Sequence, residues 1–206
     1  ALMVDPIDES LHAWEAAALT GEPMKLLNGL NQLTMRVIVR TMFGGSLSRE
    51  EMDQAGEAMA FALDYVMTAI VTHALPTWLP IPGKKRFEKS LVQFDEVVYR
   101  IIADSRAGQG QENHLLAMLM DTVDDETGEA MSDKQLRDEV ATIFLAGYET
   151  TSIALTWAYD YLTQHPAVMQ KLQAEVDEVL QGRRPTFADL PKLTYTKMVL
   201  QETMRL

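Results

Sequence analysis

A short stretch in the middle of the chain combines residue types that suit chemistry better than they suit a purely structural helix. It reads Ala146-Gly147-Tyr148-Glu149-Thr150-Thr151-Ser152. A glycine costs about 1 kcal/mol relative to alanine inside a helix, and a buried glutamate needs a partner. Serine and threonine hydroxyls can bond to the preceding turn and bend it. Because several local preferences are broken together, we predict a functional site here.

The chemistry of this stretch follows from its helical spacing. Ala146 and Thr150 share one face, with Gly147 beside them and Glu149 adjacent. The two small residues leave room for another helix or a flat, rigid ligand to approach the backbone. A Thr150 hydroxyl that donates to the Ala146 carbonyl would open a groove for water, and water, a carboxylate and a hydroxyl make a proton path. A helix crossing with a surface glutamate explains the same pattern equally well.

A second motif, Glu202-x-x-Arg205, lies near the end of the chain. Residues three apart share a helix face, and Met198 and Val199 precede Glu202 by about one turn, so we predict that this face is buried. Bidentate hydrogen bonds would hold such a pair, and breaking a buried pair is costly. The motif therefore predicts a structural clamp, with a weak surface salt bridge as the alternative.

Helical periodicity runs through nearly the whole chain, which predicts an all-α, mainly helical fold. The longest helix, about 132–164, begins at the capping box Ser132-Asp133-Lys134-Gln135 and ends before His165-Pro166. It would be about 48 Å long, with the first motif at its centre. The proline-rich segment 76–83 predicts an apolar loop. The other predicted helices are 7–19, 24–43, 50–72, 84–106, 112–121, 166–181 and 193–206.

Composition and motif searches argue against several functional classes. The chain has 18 basic and 30 acidic residues, a net charge of −12, and no basic stripe, which argues against nucleic acid or anionic membranes as partners. It has no apolar run long enough for a membrane span. The absence of cysteine rules out disulfides and thiolate metal sites, and the four histidines lack ligand spacing. No serine lies in a Gly-x-Ser-x-Gly elbow.

The two motifs together resemble the cytochrome P-450 family. Glu202-x-x-Arg205 begins 52 residues after Thr150, and 144–152 is similar to the centre of the family's long oxygen-binding helix, helix I. Segments 166–181 and 193–206 look like helices J and K. Segments 24–43, 50–72 and 84–106 are similar in spacing to helices E, F and G. The resemblance identifies 1–206 as one partial domain, an internal fragment spanning roughly helices D to K.

The resemblance implies a haem-thiolate monooxygenase. The full-length protein would bind haem (iron protoporphyrin IX), insert one oxygen atom of O2 into an apolar small molecule and reduce the other atom to water. Thr150 would hydrogen-bond dioxygen or its water, and Glu149 would help to relay protons. Ala146, Gly147 and Thr151 would lie against the haem. Electrons would come from a flavoprotein, a ferredoxin or a fused reductase.

The same resemblance implies a substrate pocket and a clamp. The clamp would be the pair Glu202–Arg205, bonded to a downstream segment. Candidates to line the pocket are residues of the 50–72 helix and three neighbours of the first motif, Ile143, Phe144 and Leu145.

The sequence lacks the residue that binds the haem iron in the family. The family's axial ligand is a cysteine after helix K, and this chain has none, so we predict no metal ligand within it. The helix that holds the haem propionates should precede Ala1. We expect these 206 residues alone to bind no haem productively and to be inactive. A soluble, cytoplasmic, bacterial-type enzyme is favoured, although a membrane anchor before Ala1 stays open.

An alternative from another class is a non-enzymatic helical module for ligand binding or interaction, with Gly147 at a helix crossing. The downstream sequence would distinguish the two interpretations. A Phe-x-x-Gly-x-x-x-Cys-x-Gly loop after Leu206 would support the haem protein, and its absence would favour the module.

Overall fold

The fold is all-α, as predicted. The computed structural model describes residues 2–21, 23–44, 47, 49–73, 80–108 and 114–206, and within them the only β-type pairing is an isolated bridge between Val123 and Ala130. The helices are α1 Val4–Thr20, α2 Leu26–Phe43, α3 Arg49–Thr72, α4 Lys84–Arg106, α5 Leu115–Met120, α6 Asp133–Gln164, α7 Pro166–Leu180 and α8 Thr194–Arg205, with a 3-10 helix at Phe187–Lys192.

The predicted proline-rich loop lies partly outside the described residues. Of 76–83, only 80–83 are described, and these are not helical. The predicted helix 112–121 is likewise described only from residue 114, and α5 occupies its centre.

The helices form two compact units. One comprises Met3–Thr34 and Gly147–Leu206, and the other comprises Met35–Ala146. The division falls within α2 and within α6, so each of these helices contributes a part to both units. The prediction that 1–206 is a single partial domain stays a prediction.

Helix α6 begins at its capping box. The Gln135 backbone N–H donates to Ser132 Oγ (3.3 Å), and the Ser132 backbone N–H donates to Gln135 Oε1 (2.9 Å). Two of the backbone donors that a helix start leaves unpaired are thus satisfied reciprocally. From there one face of the helix is buried along its length, at Leu136, Val140, Phe144, Tyr148, Ser152, Ala158 and Leu162.

The unit Met35–Ala146 is built around the packing of α3 against α4. Its core includes Val39 and Phe43 of α2, Phe94 and Val98 of α4, and Leu136 of α6, each at most 2% exposed. Ion pairs join its helices at the surface, and one of them links Arg106 Nη2 of α4 to Asp133 Oδ1 of α6 at 2.7 Å. Arg100 Nη2 lies 2.7 Å from Glu51 Oε1, and Arg137 Nε lies 2.6 Å from Asp95 Oδ1. These contacts fix the first half of α6, which leads into the motif.

We expect Gly83→Ala to destabilise this unit. Gly83 precedes α4 with φ of +84°, and a Cβ there would lie 2.8 Å from Tyr65 Cε2. A left-handed backbone costs an L-residue about 1–2 kcal/mol, so the free energy of unfolding should fall by at least that amount. Gly108→Ala is the matched control, because Gly108 has φ of +73° and a Cβ there would meet no described residue within 4 Å. Denaturant unfolding of both variants measures the difference, and equal losses would show that the Tyr65 ring adds nothing.

In the other unit, adjacent arginines tie the α7–α8 connection to its surroundings. Arg183 donates both Nη groups to Asp189, at 2.6 and 2.7 Å, and Asp189 is 2% exposed. Hydrogen bonds from Arg183 and Thr186 hold the pKa of Asp189 well below its usual range. Arg184 pairs with Asp5 and Asp8 of α1. The Arg183–Asp189 pair thus closes the α7–α8 connection on itself, and Arg184 joins that connection to α1.

Candidate functional site

Four of the predicted catalytic and haem-contacting residues lie on the exposed side of α6. Phe144, Tyr148 and Ser152 face the interior, whereas Ala146, Glu149, Thr150 and Thr151 are exposed and Gly147 is half-buried. The exposed face continues along the helix with Ile153 and Trp157, at 40% and 52% exposure. A small side chain, a hydroxyl and a carboxylate are thus brought together on a surface that also carries large apolar groups.

A hydroxyl of the motif does bond to the preceding turn of α6. Ser152 Oγ donates to the Glu149 carbonyl oxygen at 2.9 Å, and Ser152 is fully buried. Such bonds compete with the backbone ladder and bend helices. The predicted bond from Thr150 to the Ala146 carbonyl, and the water groove that it would open, stay predictions.

The three predicted pocket residues have different environments. Phe144 is 1% exposed and packs edge-on against Phe94, with ring centroids 6.2 Å apart and an interplanar angle of 72°. Ile143 is half-buried, and Leu145 is 49% exposed. Phe144 is therefore a core side chain of the unit Met35–Ala146. The assignment of Ile143, Phe144 and Leu145 to a substrate pocket stays a prediction.

Glu202 and Arg205 form the predicted bidentate pair within α8. Arg205 Nε donates to Glu202 Oε2 at 2.7 Å, and Arg205 Nη2 donates to Glu202 Oε1 at 2.6 Å. These hydrogen bonds lower the pKa of Glu202 and raise that of Arg205, so both groups are charged at neutral pH.

The prediction that this face of α8 is buried is wrong. The Glu202 and Arg205 side chains are 56% and 65% exposed, Met198 is 55% exposed, and no residue of α8 is buried. A helical stripe of apolar residues shows which face a helix offers to a partner, but burial also needs the partner.

A groove that the sequence motifs did not predict lies beside the Glu202–Arg205 pair. A cavity of about 390 Å³ lies between the end of α6, α7 and α8. The sequence signal was present as apolar residues at helical spacing on all three helices, but it did not show that the three stripes meet. The lining residues are Ala158, Tyr161, Leu162, His165, Val168, Tyr195, Met198, Val199, Glu202, Thr203 and Leu206.

Comparison with known proteins identifies the family. The family model for cytochrome P450 matches residues 1–206. The chain belongs to the cytochrome P450 family. Cyclooctatin synthase of Streptomyces melanosporofaciens is 36% identical over 196 residues, which cover 94% of this chain and 42% of that protein. Cyclooctat-9-en-7-ol 5-monooxygenase of the same organism is 30% identical, over 100% of this chain and 44% of its own length.

A solved P450 structure shares the fold of the chain. The crystal structure of the cytochrome P450DA heme domain matches with a TM-score of 0.85 and 27% identity, over 99% of this chain and 45% of that one. The chain thus spans a little under half the length of these relatives. The predicted family is confirmed, and so is haem as the cofactor of the full-length P450.

The residues of this P450 chain fit one side of a haem site. The exposed small side chain of Ala146 leaves room for a flat ring, and the neighbouring hydroxyls and Glu149 supply polar groups at its edge. The chain has no cysteine, and its described residues contain no cluster of three His, Asp or Glu that could bind a metal ion.

In the described part, no helix combines the length and apolar character that crossing a membrane requires.

Proposed function

We propose that the full-length protein is a monooxygenase that inserts one oxygen atom of O2 into an apolar organic molecule at a haem iron and reduces the other to water. The observation that carries the proposal is the match to the P450 family over 1–206, together with the exposed Ala146–Thr150 face of α6. A relative named as a 5-monooxygenase supports the reaction type. Membership of the family also weakens the alternative of a non-enzymatic helical module.

The residues of α6 have distinct parts in this proposal. The haem, when bound, would supply the oxygen activation, and Ala146, Gly147 and Thr151 would form part of the surface that holds it. The Thr150 hydroxyl would hold a proton at the reacting face, and the exposed Glu149 carboxylate would connect it to solvent. A positioned proton donor contributes roughly 100- to 10,000-fold to a rate.

Substrate and electron donor are inferred from chemistry and from relatives. Leu145 and Ile143 offer apolar contacts, and the relative from Streptomyces melanosporofaciens is named for cyclooctat-9-en-7-ol, an alcohol with a mainly hydrocarbon skeleton. We propose an apolar substrate of comparable character. A Bacillus subtilis relative, 32% identical, is named as a bifunctional P450 and NADPH–P450 reductase. Electrons would reach this protein from such a fused reductase or from a separate flavoprotein or ferredoxin.

The thiolate ligand that the family resemblance implies would have to come from outside 1–206, because this chain contains no cysteine. The 206 residues alone should therefore give no thiolate-type absorption band with carbon monoxide, whereas the full-length protein should give one. A thiolate-type band from the 206 residues would contradict this part of the proposal.

Oxygen labelling tests the proposed reaction in the full-length protein. With ¹⁸O₂, we expect one labelled atom in the organic product and the other in water. A product labelled from solvent, or a protein without haem, would refute the monooxygenase. Lack of haem together with tight binding of apolar ligands would favour the helical module.

A further inference from the structure

The N-terminus of α8 is capped by a residue of another helix. Leu193, at the N-cap position, gives no side-chain hydrogen bond. The first backbone N–H groups of a helix need partners. Glu175 of α7 provides them, because its Oε1 accepts from the Tyr195 N–H at 2.6 Å and its Oε2 accepts from the Thr196 N–H at 2.8 Å.

Two hydroxyls complete the set around the same carboxylate. Thr194 Oγ1 donates to Glu175 Oε1 at 3.2 Å, and Thr196 Oγ1 donates to Oε2 at 2.8 Å. Four donors from three consecutive residues thus converge on one side chain. The negative charge also lies at the positive end of the α8 dipole, where it is favourable.

This arrangement differs from an ordinary N-cap. An ordinary cap precedes its helix in sequence and moves with it. Glu175 lies 19 to 21 residues before its donors and belongs to α7, so its bonds fix α8 relative to α7. No residue of α8 is buried within residues 1–206, so packing against this part of the protein holds its orientation weakly. The bonds to Glu175 therefore carry much of the constraint.

The hydrogen bonds to Glu175 also affect the position of the Glu202–Arg205 pair. Thr194 and Glu202 are eight residues apart on α8, about 12 Å along its axis. Tyr195, whose N–H donates to Glu175, and Glu202 line the same cavity. A tilt at the start of α8 would consequently displace the carboxylate that the family resemblance assigns to the clamp.

We propose that Glu175 is a positioning residue that holds α8 against α7 and thereby places Glu202 and Arg205 for their role in the haem protein. This inference rests on the proposed function, since the role of the pair is exercised in the full-length P450.

The test compares Glu175→Ala and Glu175→Gln with Glu178→Ala in the full-length haem protein. Glu178 is an exposed carboxylate on the same helix without a hydrogen bond in the described structure, so it is the matched control. We expect the Tyr195 and Thr196 amides to exchange at least about tenfold faster in Glu175→Ala, with Glu175→Gln intermediate because an amide keeps one acceptor oxygen. Haem loss to a scavenging protein should accelerate in the same order. Amide exchange equal to that of Glu178→Ala would overturn the contact.

A second pair of variants separates positioning from simple capping. Leu193→Asp gives α8 a cap of its own, which does not tie it to α7. We expect the double variant Glu175→Ala/Leu193→Asp to lose haem faster than Leu193→Asp alone. Equal rates would overturn the positioning role. A wild-type protein that binds no haem would instead refute the proposed function, and amide exchange would still decide whether Glu175 holds α8.

The contact should also depend on pH in a defined direction. Partial burial by itself raises the pKa of Glu175, but the hydrogen bonds from Tyr195, Thr196 and Thr194 outweigh it and lower the pKa from 4.5 to about 2. Since the folded pKa is depressed, the stabilisation is complete above 4.5 and is lost as the pH falls towards about 2. Carboxyl NMR of Glu175 measures the titration. A midpoint near 4.5 would show that the four donors do not engage it.

Discussion

Thr150→Ala in the full-length protein is expected to separate electron consumption from product formation. Thr150 lies on the exposed face of α6, one turn from Ala146 and next to the Glu149 carboxylate. The substitution removes a hydroxyl and leaves the small, apolar surface intact, so haem and substrate should still bind. Because positioned proton transfer contributes roughly 100- to 10,000-fold, partial replacement by water should leave the product formed per electron pair at least about tenfold lower.

The measurement is the ratio of product to reducing equivalents consumed, with peroxide quantified as the expected diversion. Thr150→Ser should keep most of the coupling, because it retains the hydroxyl. Thr163→Ala is the matched control. Thr163 is also an exposed threonine of α6, but its hydroxyl donates to the Asp160 carbonyl at 2.7 Å, more than three turns from the motif. Unchanged coupling and rate in Thr150→Ala would count against Thr150 as the proton donor.

Features encoded within a few residues could be predicted from the sequence. Helix α6 was predicted at 132–164 and spans Asp133–Gln164, because its capping box and its His165-Pro166 end are local signals. The Glu202–Arg205 pair was predicted for the same reason, since its spacing alone brings the two groups together. Local chemistry also singled out the exposed motif on α6, where glycine and hydroxyls replace the expected helix formers.

Features that depend on distant partners could not be predicted. Phe144 packs against Phe94, which is fifty residues earlier in the chain, and the spacing of residues on α6 does not show this contact. Glu175 and Glu178 are both carboxylates on α7, and only the position of α8 decides which of them caps it. The exposure of Met198 likewise shows that an apolar stripe indicates where a partner can pack, without supplying that partner.

Glu202→Ala is expected to abolish haem-loaded, folded full-length protein. Glu202 and Arg205 form an ion pair within one helix, and each of the two side chains is more than half exposed. An exposed ion pair contributes little to stability, so its loss alone would leave α8 folded. A large effect must therefore come from further partners of Glu202 and Arg205 in the full-length protein, as the family's structural clamp implies. The ratio of haem to protein after purification measures the outcome, and normal haem incorporation would contradict the clamp.

The charge-swapped variant Glu202→Arg/Arg205→Glu distinguishes the pair from its external partners. It restores an ion pair at the same spacing on α8, so a role confined to that pair would be rescued. We expect the swapped variant to remain without haem. Partners outside α8 would then face a positive charge at position 202 and a negative charge at position 205, the opposite of what they bind. Glu178→Ala, which removes an exposed carboxylate from α7, should keep its haem. Haem content equal to wild type in the swapped variant would limit the motif to an intrahelical salt bridge, and α8 would then need no partner at this face.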